Sequence, residues 1–207
     1  FVDDYITYMK GNEKISKEEF WELYKVYLIN SPVNKLYSRA CIKSHRFPED
    51  ISWGEDLLFN LDYLREINGF IHIDAKHYHY YDSGPGSLNH RYNSDGFEIQ
   101  VKIFSALKNY CETQLNFTKE QYAEFWWKYY KALQRVVDSE YEHDGCKVND
   151  KIRAIWSDDV YKEVFHNVKR NRSSYNSINK LDIWLAGHGL YVVNYGLRKA
   201  LLKLRGK

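Results

Sequence analysis

The spacing of apolar residues predicts a chain in which helices dominate. From residue 57 to residue 67, apolar side chains recur every three or four positions, as they do on the buried face of a helix. The same period returns in residues 97–111, 122–136 and 190–204, and shorter helices are expected within residues 151–165. We therefore predict an α+β fold that is mostly α, with its strands confined to the first half of the chain.

Strand character is limited to the first ninety residues. Phe1 to Met9, residues 70–74 and residues 77–81 are short apolar runs rich in β-branched and aromatic side chains. Asn68–Gly69 is a helix-stop signal, and it predicts the end of the helix that precedes the second run. Residues 82–87 consist of Asp, Ser, Gly and Pro, which predicts a loop.

A helix is also expected between the first two of these strands. Ser16–Glu19 has the spacing of a capping box, in which the serine and the glutamate satisfy each other's free backbone donors. The helix should continue to about Ile29 and bury four side chains: Phe20, Leu23, Tyr24 and Tyr27. A second short helix is expected over residues 34–43.

Composition favours a folded protein in a reducing compartment. The chain has 207 residues, enough for one good-sized domain or two small ones. Aromatic residues make up 17% of it, whereas disordered chains are poor in aromatic residues. Cys41, Cys111 and Cys146 are far apart and odd in number, so free thiols are expected rather than disulfides or a zinc site. We see no signal peptide and no apolar run long enough to span a membrane. The chain begins with Phe1, and we expect the natural N-terminus to lie upstream.

Charge is unevenly distributed along the chain. Residues 167–207 contain nine Lys and Arg residues and a single acidic one, Asp182, which leaves 21 basic and 27 acidic residues in the rest. An acidic body with a basic end suggests that the end meets an anionic partner. Nucleic acid is a poor candidate, because most of the chain would repel it.

The last predicted helix has two interpretations. Its apolar stripe consists of Leu190, Val193, Leu197, Ala200, Leu201 and Leu204, and its basic face of Arg198, Lys199, Lys203 and Arg205. The stripe could pack on the other helices and leave the basic face in solvent. Alternatively, residues 189–207 could attach the protein to an anionic membrane surface.

Two adjacent acids, Glu55 and Asp56, open the helix that follows Trp53–Gly54. Acidic side chains in the first turn complement the helix dipole and stabilise the helix by about 0.3–1 kcal/mol. The pair could therefore have only this structural role. A carboxylate in that position can also serve as a general base. The motifs on either side of the pair help to decide between the structural role and the role of a base.

Four motifs occur in order around the acidic pair. They are Asn-Ser-Pro-Val-Asn-Lys-Leu-Tyr at residues 30–37, Arg-Phe-Pro-Glu at 46–49, Gly-Glu-Asp-Leu-Leu-Phe-Asn at 54–60 and Tyr-His-Tyr at 78–80. Together, over roughly residues 15–92, they resemble the acceptor-side half of bacterial family 2 glycosyltransferases. The resemblance implies a GT-A fold and an inverting transfer of a hexose or N-acetylhexosamine from a nucleotide-sugar donor to a glycan acceptor. Such enzymes build surface polysaccharides and glycoconjugates.

The resemblance also implies site residues. Asp56 would be the general base, and Glu55 would orient Asp56 or the acceptor. Asn34 and Lys35 match an Asn-Lys pair near the site, where the ammonium suits an anionic substrate group; the alternative for Lys35 is an ordinary solvated lysine. Trp53 is expected among the substrate-binding residues.

Three further residues are expected on the donor side. His79 would face the diphosphate and could bind a phosphate or a metal, although a histidine in an aromatic strand is commonly packed. Ser87 and Arg91 fall in the segment that usually covers the donor. The resemblance implies a Mg²⁺ or Mn²⁺ ion, whose main ligands form an Asp-x-Asp motif. The segment around Asp3 and Asp4 is only superficially similar to the strand that carries this motif, and it lies too close to Asn34 in the chain.

These expectations divide the chain in two. Residues 1–92 would be the acceptor-side portion of a transferase whose donor-binding half is missing, so that this chain alone would be inactive. Residues 93–207 would form a helical domain that positions an acceptor, a membrane or a partner chain, including a second copy. We expect a cytoplasmic protein, at the inner face of the membrane if the last helix binds lipid. The competing function is a non-catalytic helical interaction or oligomerisation module attached to a transferase remnant.

Overall fold

The computed structural model describes residues 13–73 and 92–204, which form two compact units. The first unit comprises the described residues up to Phe117, and the second begins at Thr118. A two-stranded antiparallel sheet lies in the first unit, and the rest of the described regular structure is helical. The predicted α+β class, mostly α, is confirmed at this level, while the GT-A fold stays a prediction.

The first unit contains two strands and four helices among its described residues. They are β1 (Glu13–Ser16), α1 (Phe20–Lys25), α2 (Arg39–Ile42), α3 (Glu55–Leu64), β2 (Gly69–His72) and α4 (Gly96–Gln114). The strand predicted at residues 70–74 is therefore present as β2. The strands predicted at residues 1–9 and 77–81 lie outside the described residues.

Gly69 serves the sheet and does not cap a helix. β1 and β2 pair with Ser16 opposite Gly69, and a Cβ at residue 69 would lie 2.7 Å from the carbonyl oxygen of Ile15. Only glycine lets the two backbones approach so closely. The helix before it has already ended at Leu64, so the predicted stop at Asn68–Gly69 is wrong in its mechanism and late in its position.

The first helix is shorter than its predicted extent. Ser16 makes no side-chain capping bond to the backbone; its hydroxyl bonds to the Glu18 carboxylate and thereby lowers the pKa of Glu18. The helix ends at Lys25, and Tyr27 adopts a left-handed φ of 64° with 54% of its surface exposed. Tyr27 was predicted to be buried, and that prediction is wrong. The other three expected residues, Phe20, Leu23 and Tyr24, are buried. The second short helix is confined to Arg39–Ile42.

The core of the first unit forms where α3 packs on α4. Each helix buries the face that its periodicity predicts, with Leu57 and Leu61 on α3 and Phe104 and Leu107 on α4 all at most 5% exposed. α1 closes the same core, since the ring centroids of Phe20 and Tyr110 are 4.7 Å apart. Because α4 packs on α3 in this core, the first unit extends to Phe117, whereas the predicted domain boundary lies near residue 92.

The second unit contains five helices among its described residues. They are α5 (Lys119–His143), α6 (Asp150–Ser157), α7 (Asp159–Arg170), α8 (Ser177–Gly187) and α9 (Tyr191–Leu204). α5 begins with a complete capping box between Thr118 and Gln121, as its sequence predicts. Asn149, Asp158 and Asn176 each accept a backbone N–H bond at the start of the helix that follows. These caps explain why helices of 8–12 residues begin where they do.

α5 is the centre of the second unit. It packs against α6 and α7, and α8 packs against α9. Leu133 and Val137 of α5 and Ile152 of α6 are fully buried. A polar bond crosses the same interior, since the Gln134 amide donates to the Tyr161 hydroxyl at 3.0 Å.

The buried side chains of α9 are Tyr191, Asn194 and Arg198. Arg198 belongs to the predicted basic face, whose other described residues are exposed. Val193, from the predicted buried stripe, is 57% exposed, and Leu204 is 83% exposed. Both interpretations of the last helix placed Arg198 on an outer basic face, and that placement is wrong.

The burial of Arg198 has an electrostatic cause. The Arg198 guanidinium donates to the Asp138 carboxylate of α5 through Nε at 3.1 Å and through a second nitrogen. It also reaches Asp182 of α8 at 3.5 Å. A buried charge needs such partners, and an arginine fork can satisfy two carboxylates at once.

Among the helices of residues 13–73 and 92–204, none combines the length and the apolar character that crossing a membrane requires.

Candidate functional site

The acidic pair lies at the start of α3, on a backbone that only glycine allows. Gly54 has a φ of +87°, and a Cβ there would lie 2.2 Å from Cδ1 of Ile103 on α4. Its carbonyl oxygen accepts the first helical bond from the Leu58 N–H at 3.2 Å. The close packing of Gly54 against Ile103 therefore fixes the start of the helix that carries Glu55 and Asp56.

Asp56 is half-buried beside both acidic and basic neighbours. Burial and the adjacent Glu55 carboxylate raise its pKa, while the Lys35 ammonium and a hydrogen bond from the Ser31 side chain oppose that rise. The result is a carboxylate that holds protons more strongly than a solvated aspartate. A carboxylate of that kind, with hydrogen-bond support, is suited to accept a proton.

Lys35 approaches Asp56 from the loop that precedes α2. Its ammonium donates to the Ser31 carbonyl oxygen and, at 2.7 Å, to Oδ1 of Asn34. Burial lowers the pKa of Lys35 to about 8, and the Asp56 carboxylate limits that decrease. Lys35 is therefore a half-buried lysine with hydrogen-bond partners in its own loop.

Two polar residues hold this loop against α3. Asn60, which is 2% exposed, donates to the Ile29 carbonyl oxygen at 2.6 Å and accepts a bond of 2.5 Å from the Tyr37 hydroxyl. The Tyr63 hydroxyl accepts the N–H of Ser38 at 3.0 Å. Both ends of the loop are thus fastened to the second and third turns of the helix that carries Asp56.

Two aromatic side chains, one before α3 in the chain and one packed on it, have part of their surface exposed. Trp53, directly before Gly54, is 44% exposed. Phe47 stacks on Phe59 of α3, with the ring centroids 4.3 Å apart, and is 43% exposed. The apolar face of a sugar ring packs favourably on such surfaces, so they suit a glycan acceptor.

The segment before Trp53 is tied to the next helix. Lys102 of α4 donates to Asp50 at 2.5 Å, and Asn93 donates to the Ser52 hydroxyl at 3.3 Å. Both contacts are exposed, so each contributes little to stability. Their effect is to fix where the chain enters the turn at Gly54.

The structure brings together four of the predicted site residues: Asn34, Lys35, Glu55 and Asp56. Trp53 is adjacent to them in the chain. His79, Ser87 and Arg91, and with them Asp3 and Asp4, lie outside the described residues.

Sequence reasoning missed two residues that build the site, Ser31 and Asn60. Both lie within the quoted motifs, but neither was given a role. Ser31 bonds to Asp56 through its side chain and to Lys35 through its carbonyl oxygen. Asn60 could have been found from its position, because a polar residue in the apolar stretch 57–61 needs a buried partner.

The described residues offer no place for the divalent cation that the resemblance implies. Within residues 13–73 and 92–204, no three His, Cys, Asp or Glu side chains come together as metal ligands. Asp56 has the Lys35 ammonium as its cationic neighbour, and that charge would repel a metal ion.

Comparison with known proteins gave no match to a family model, to a curated protein or to a solved structure.

Proposed function

We propose that this chain supplies the acceptor side of an inverting glycosyltransferase, with Asp56 as the general base. The observation that supports this most is the environment of Asp56. Its carboxylate is half-buried on a rigid helix start, its pKa is raised, and Lys35 and Ser31 converge on it. A simple helix cap requires none of these neighbours.

The reaction is a single displacement at the anomeric carbon of a nucleotide-sugar. The acceptor hydroxyl oxygen forms the new glycosidic bond as the bond to the nucleotide phosphate breaks, and the nucleotide leaves with that electron pair. Asp56 takes the proton from the acceptor oxygen. One base suffices, because attack from the face opposite the leaving group inverts the anomeric centre in one step.

Lys35 and Ser31 keep the base ready for this step. Burial and Glu55 favour the protonated form of Asp56, whereas the ammonium of Lys35 and the Ser31 hydrogen bond favour the ionised form. The net effect is a raised pKa, so the Asp56 carboxylate is a stronger base than that of a solvated aspartate. A base whose pKa lies nearer the working pH transfers protons more effectively.

The remaining site residues complete the proposal. Asn34 and Trp53 would contact a glycan acceptor, and a hexose or N-acetylhexosamine would be transferred. His79, Ser87 and Arg91 would contact the donor. The nucleotide and any Mg²⁺ or Mn²⁺ ion would be held mainly by a donor half that the described residues do not include.

A non-catalytic interaction module is the second candidate. One observation favours it: residues 118–204 form a helical unit with a core and a capping box of their own. In that case Asp56 would be a structural residue of a transferase remnant.

Replacing Asp56 with asparagine in the intact, full-length protein tests the proposal. Nucleotide release from a panel of UDP- and GDP-hexoses and UDP-N-acetylhexosamines, with cell extract as the acceptor source, should fall by about 100-fold or more. The melting temperature should hardly change. The matched control is Asp62→Asn, since Asp62 is an exposed carboxylate on the same helix, and it should retain activity. Undiminished transfer by the Asp56→Asn variant would show that Asp56 is not the base.

A further inference from the structure

One face of α3 contacts a single loop. Asp56, Asn60 and Tyr63 succeed one another at intervals of four and three residues, so their side chains lie on the same side of the helix. Each of them bonds to the loop formed by residues 29–38, which we term the 29–38 loop. Asn60 lies between the other two along the helix, and only 2% of its surface is exposed. It therefore occupies the middle of the contact between the loop and the helix.

Asn60 binds the loop at two points. Its amide nitrogen donates to the Ile29 carbonyl oxygen at 2.6 Å, and its amide oxygen accepts the Tyr37 hydroxyl at 2.5 Å. Between these points lie the two residues that converge on the candidate base. Ser31 follows Ile29 by two residues, and Lys35 precedes Tyr37 by two. Two residues of chain span about 7 Å at most, so neither side chain can move far while both bonds are made.

The 29–38 loop is also closed by bonds of its own. The Lys35 N–H donates to the Pro32 carbonyl oxygen at 3.1 Å, and the Lys35 ammonium donates to the Ser31 carbonyl oxygen. A loop that is closed in this way moves as a unit. The two bonds to Asn60 consequently decide where that unit lies on α3.

The asparagine is explained by the loop and not by the core. The other side chains between Leu57 and Leu61 are all apolar and buried, so packing alone would favour a leucine at residue 60. Ile29 is only 4% exposed, and a carbonyl oxygen with so little access to water needs a donor. Asn60 supplies that donor and accepts the Tyr37 hydroxyl at the same time.

We propose that Asn60 is a positioning residue of the candidate site. It holds the 29–38 loop on α3, so that Ser31 and Lys35 converge on the Asp56 carboxylate. Asn60 acts through the loop. Its importance for catalysis rests on the proposed function, whereas its effect on the position of Lys35 does not.

The position of Lys35 can be measured without a substrate. Burial lowers the pKa of Lys35 to about 8. Asn60→Leu keeps a side chain branched at the same carbon but removes both bonds to the loop, so the pKa of Lys35 should rise towards 10.5, with a proton affinity at least about tenfold higher. Tyr37→Phe removes one of the bonds and keeps the ring, so the pKa should rise by less. NMR titration of ¹³C-methylated lysines gives these values, with Lys35→Gln assigning the resonance.

Leu58→Ala is the matched control for a general loosening of the helix. Leu58 is 8% exposed and lies on α3, and the helical period places it about 160° around the axis from Asn60. The loss of core packing should lower the melting temperature, while the pKa of Lys35 should stay at its wild-type value. An equal rise of this pKa in Leu58→Ala and in Asn60→Leu would overturn the proposal.

The catalytic consequence is measured in the intact, full-length protein by nucleotide release. Ser31 and Lys35 both lower the pKa of Asp56, so their displacement in Asn60→Leu should raise it. Because the base must be ionised, the acid limb of the kcat–pH profile should move to higher pH. At neutral pH, kcat should fall at least about tenfold. Leu58→Ala should keep the wild-type profile.

The two measurements separate this proposal from the proposed function. The role of Asn60 is overturned if Lys35 titrates in the folded variants as in the wild type, or if Asn60→Leu keeps the wild-type kcat–pH profile. Tyr37→Phe decides the titration if Asn60→Leu does not fold. A raised Lys35 pKa in the variants, together with no transfer by the wild type, would overturn the proposed function and leave Asn60 as the residue that positions the loop.

Discussion

Lys35 offers a quantitative test of the candidate site. Burial lowers its pKa from 10.5 to about 8, whereas in the unfolded chain it has its ordinary value. Between these two pH values the folded protein binds fewer protons than the unfolded protein, so the free energy of unfolding should rise as the pH increases through this window. Below pH 8 the lysine is charged in both states, and its burial lowers the free energy of unfolding by the full amount. Near pH 10.5 this destabilisation has disappeared.

The size of this effect follows from the two pKa values. A tenfold change in proton affinity is worth about 1.4 kcal/mol, so the full difference corresponds to about 3 kcal/mol. Lys35 is only half-buried, and solvent screening should reduce the effect to about 2 kcal/mol. Urea unfolding of the wild type and of Lys35→Gln, below pH 8 and near pH 10.5, should show their stability difference change by that amount.

The same lysine reports on Asp56. Because the Asp56 carboxylate supports the charged ammonium, Asp56→Asn should lower the pKa of Lys35 further. Reductive ¹³C-methylation of the lysines and NMR titration measure this value directly, with Lys35→Gln assigning the resonance. Asp62→Asn should leave the titration unchanged. A Lys35 that titrates near 10.5 would refute the burial argument, and an unchanged pKa in Asp56→Asn would show that the two side chains do not face each other.

Two further predictions concern stability and are checked by urea unfolding. Gly54→Ala places a Cβ against Ile103 at a left-handed φ and should cost about 2 kcal/mol or more, whereas Gly196→Ala, where a Cβ meets nothing within 4 Å, should stabilise by about 0.5–1 kcal/mol. Arg198→Leu removes the guanidinium that pairs with the Asp138 carboxylate and should cost about 3–5 kcal/mol, whereas Lys199→Ala, which removes an exposed ion pair, should cost less than about 1 kcal/mol. Equal effects within either pair would contradict the corresponding argument.

The helices that build the core could be predicted from sequence because their signals are local. α3, α4 and α5 each bury a stripe with a regular period, and both halves of the capping box at Thr118 lie within four residues. The early end of α1 could not be predicted in this way. Tyr27 adopts a left-handed φ, a conformation that the surrounding structure imposes and that tyrosine does not favour by itself.

The resemblance to a family identifies two charged residues of the candidate site, Asp56 and Lys35. The sequence does not identify the two polar residues that hold them in place. Ser31 and Asn60 act through contacts with distant residues, such as the bond from Asn60 to Ile29 over 31 positions. Serine and asparagine are common in loops and at helix ends, so their identity alone does not indicate such contacts.

The orientation of α9 could not be predicted for a related reason. Its apolar period is clear, but the period does not reveal that carboxylates of α5 and α8 lie on the other side. Arg198 is buried with two carboxylate partners although it belongs to the basic face. Hydrophobic patterning assigns a face correctly only where the partner surface is apolar.

Arg198 also has a consequence for the order of events during synthesis. Asp138 leaves the ribosome 60 residues before the arginine that neutralises it. Until then, α5 presents a carboxylate that cannot enter the interior without a large penalty. The second unit therefore cannot form this buried ion pair until residue 198 has been made. A second unit that ends before Arg198 would lack the ion pair, so we expect proteases to cleave it faster than the intact unit.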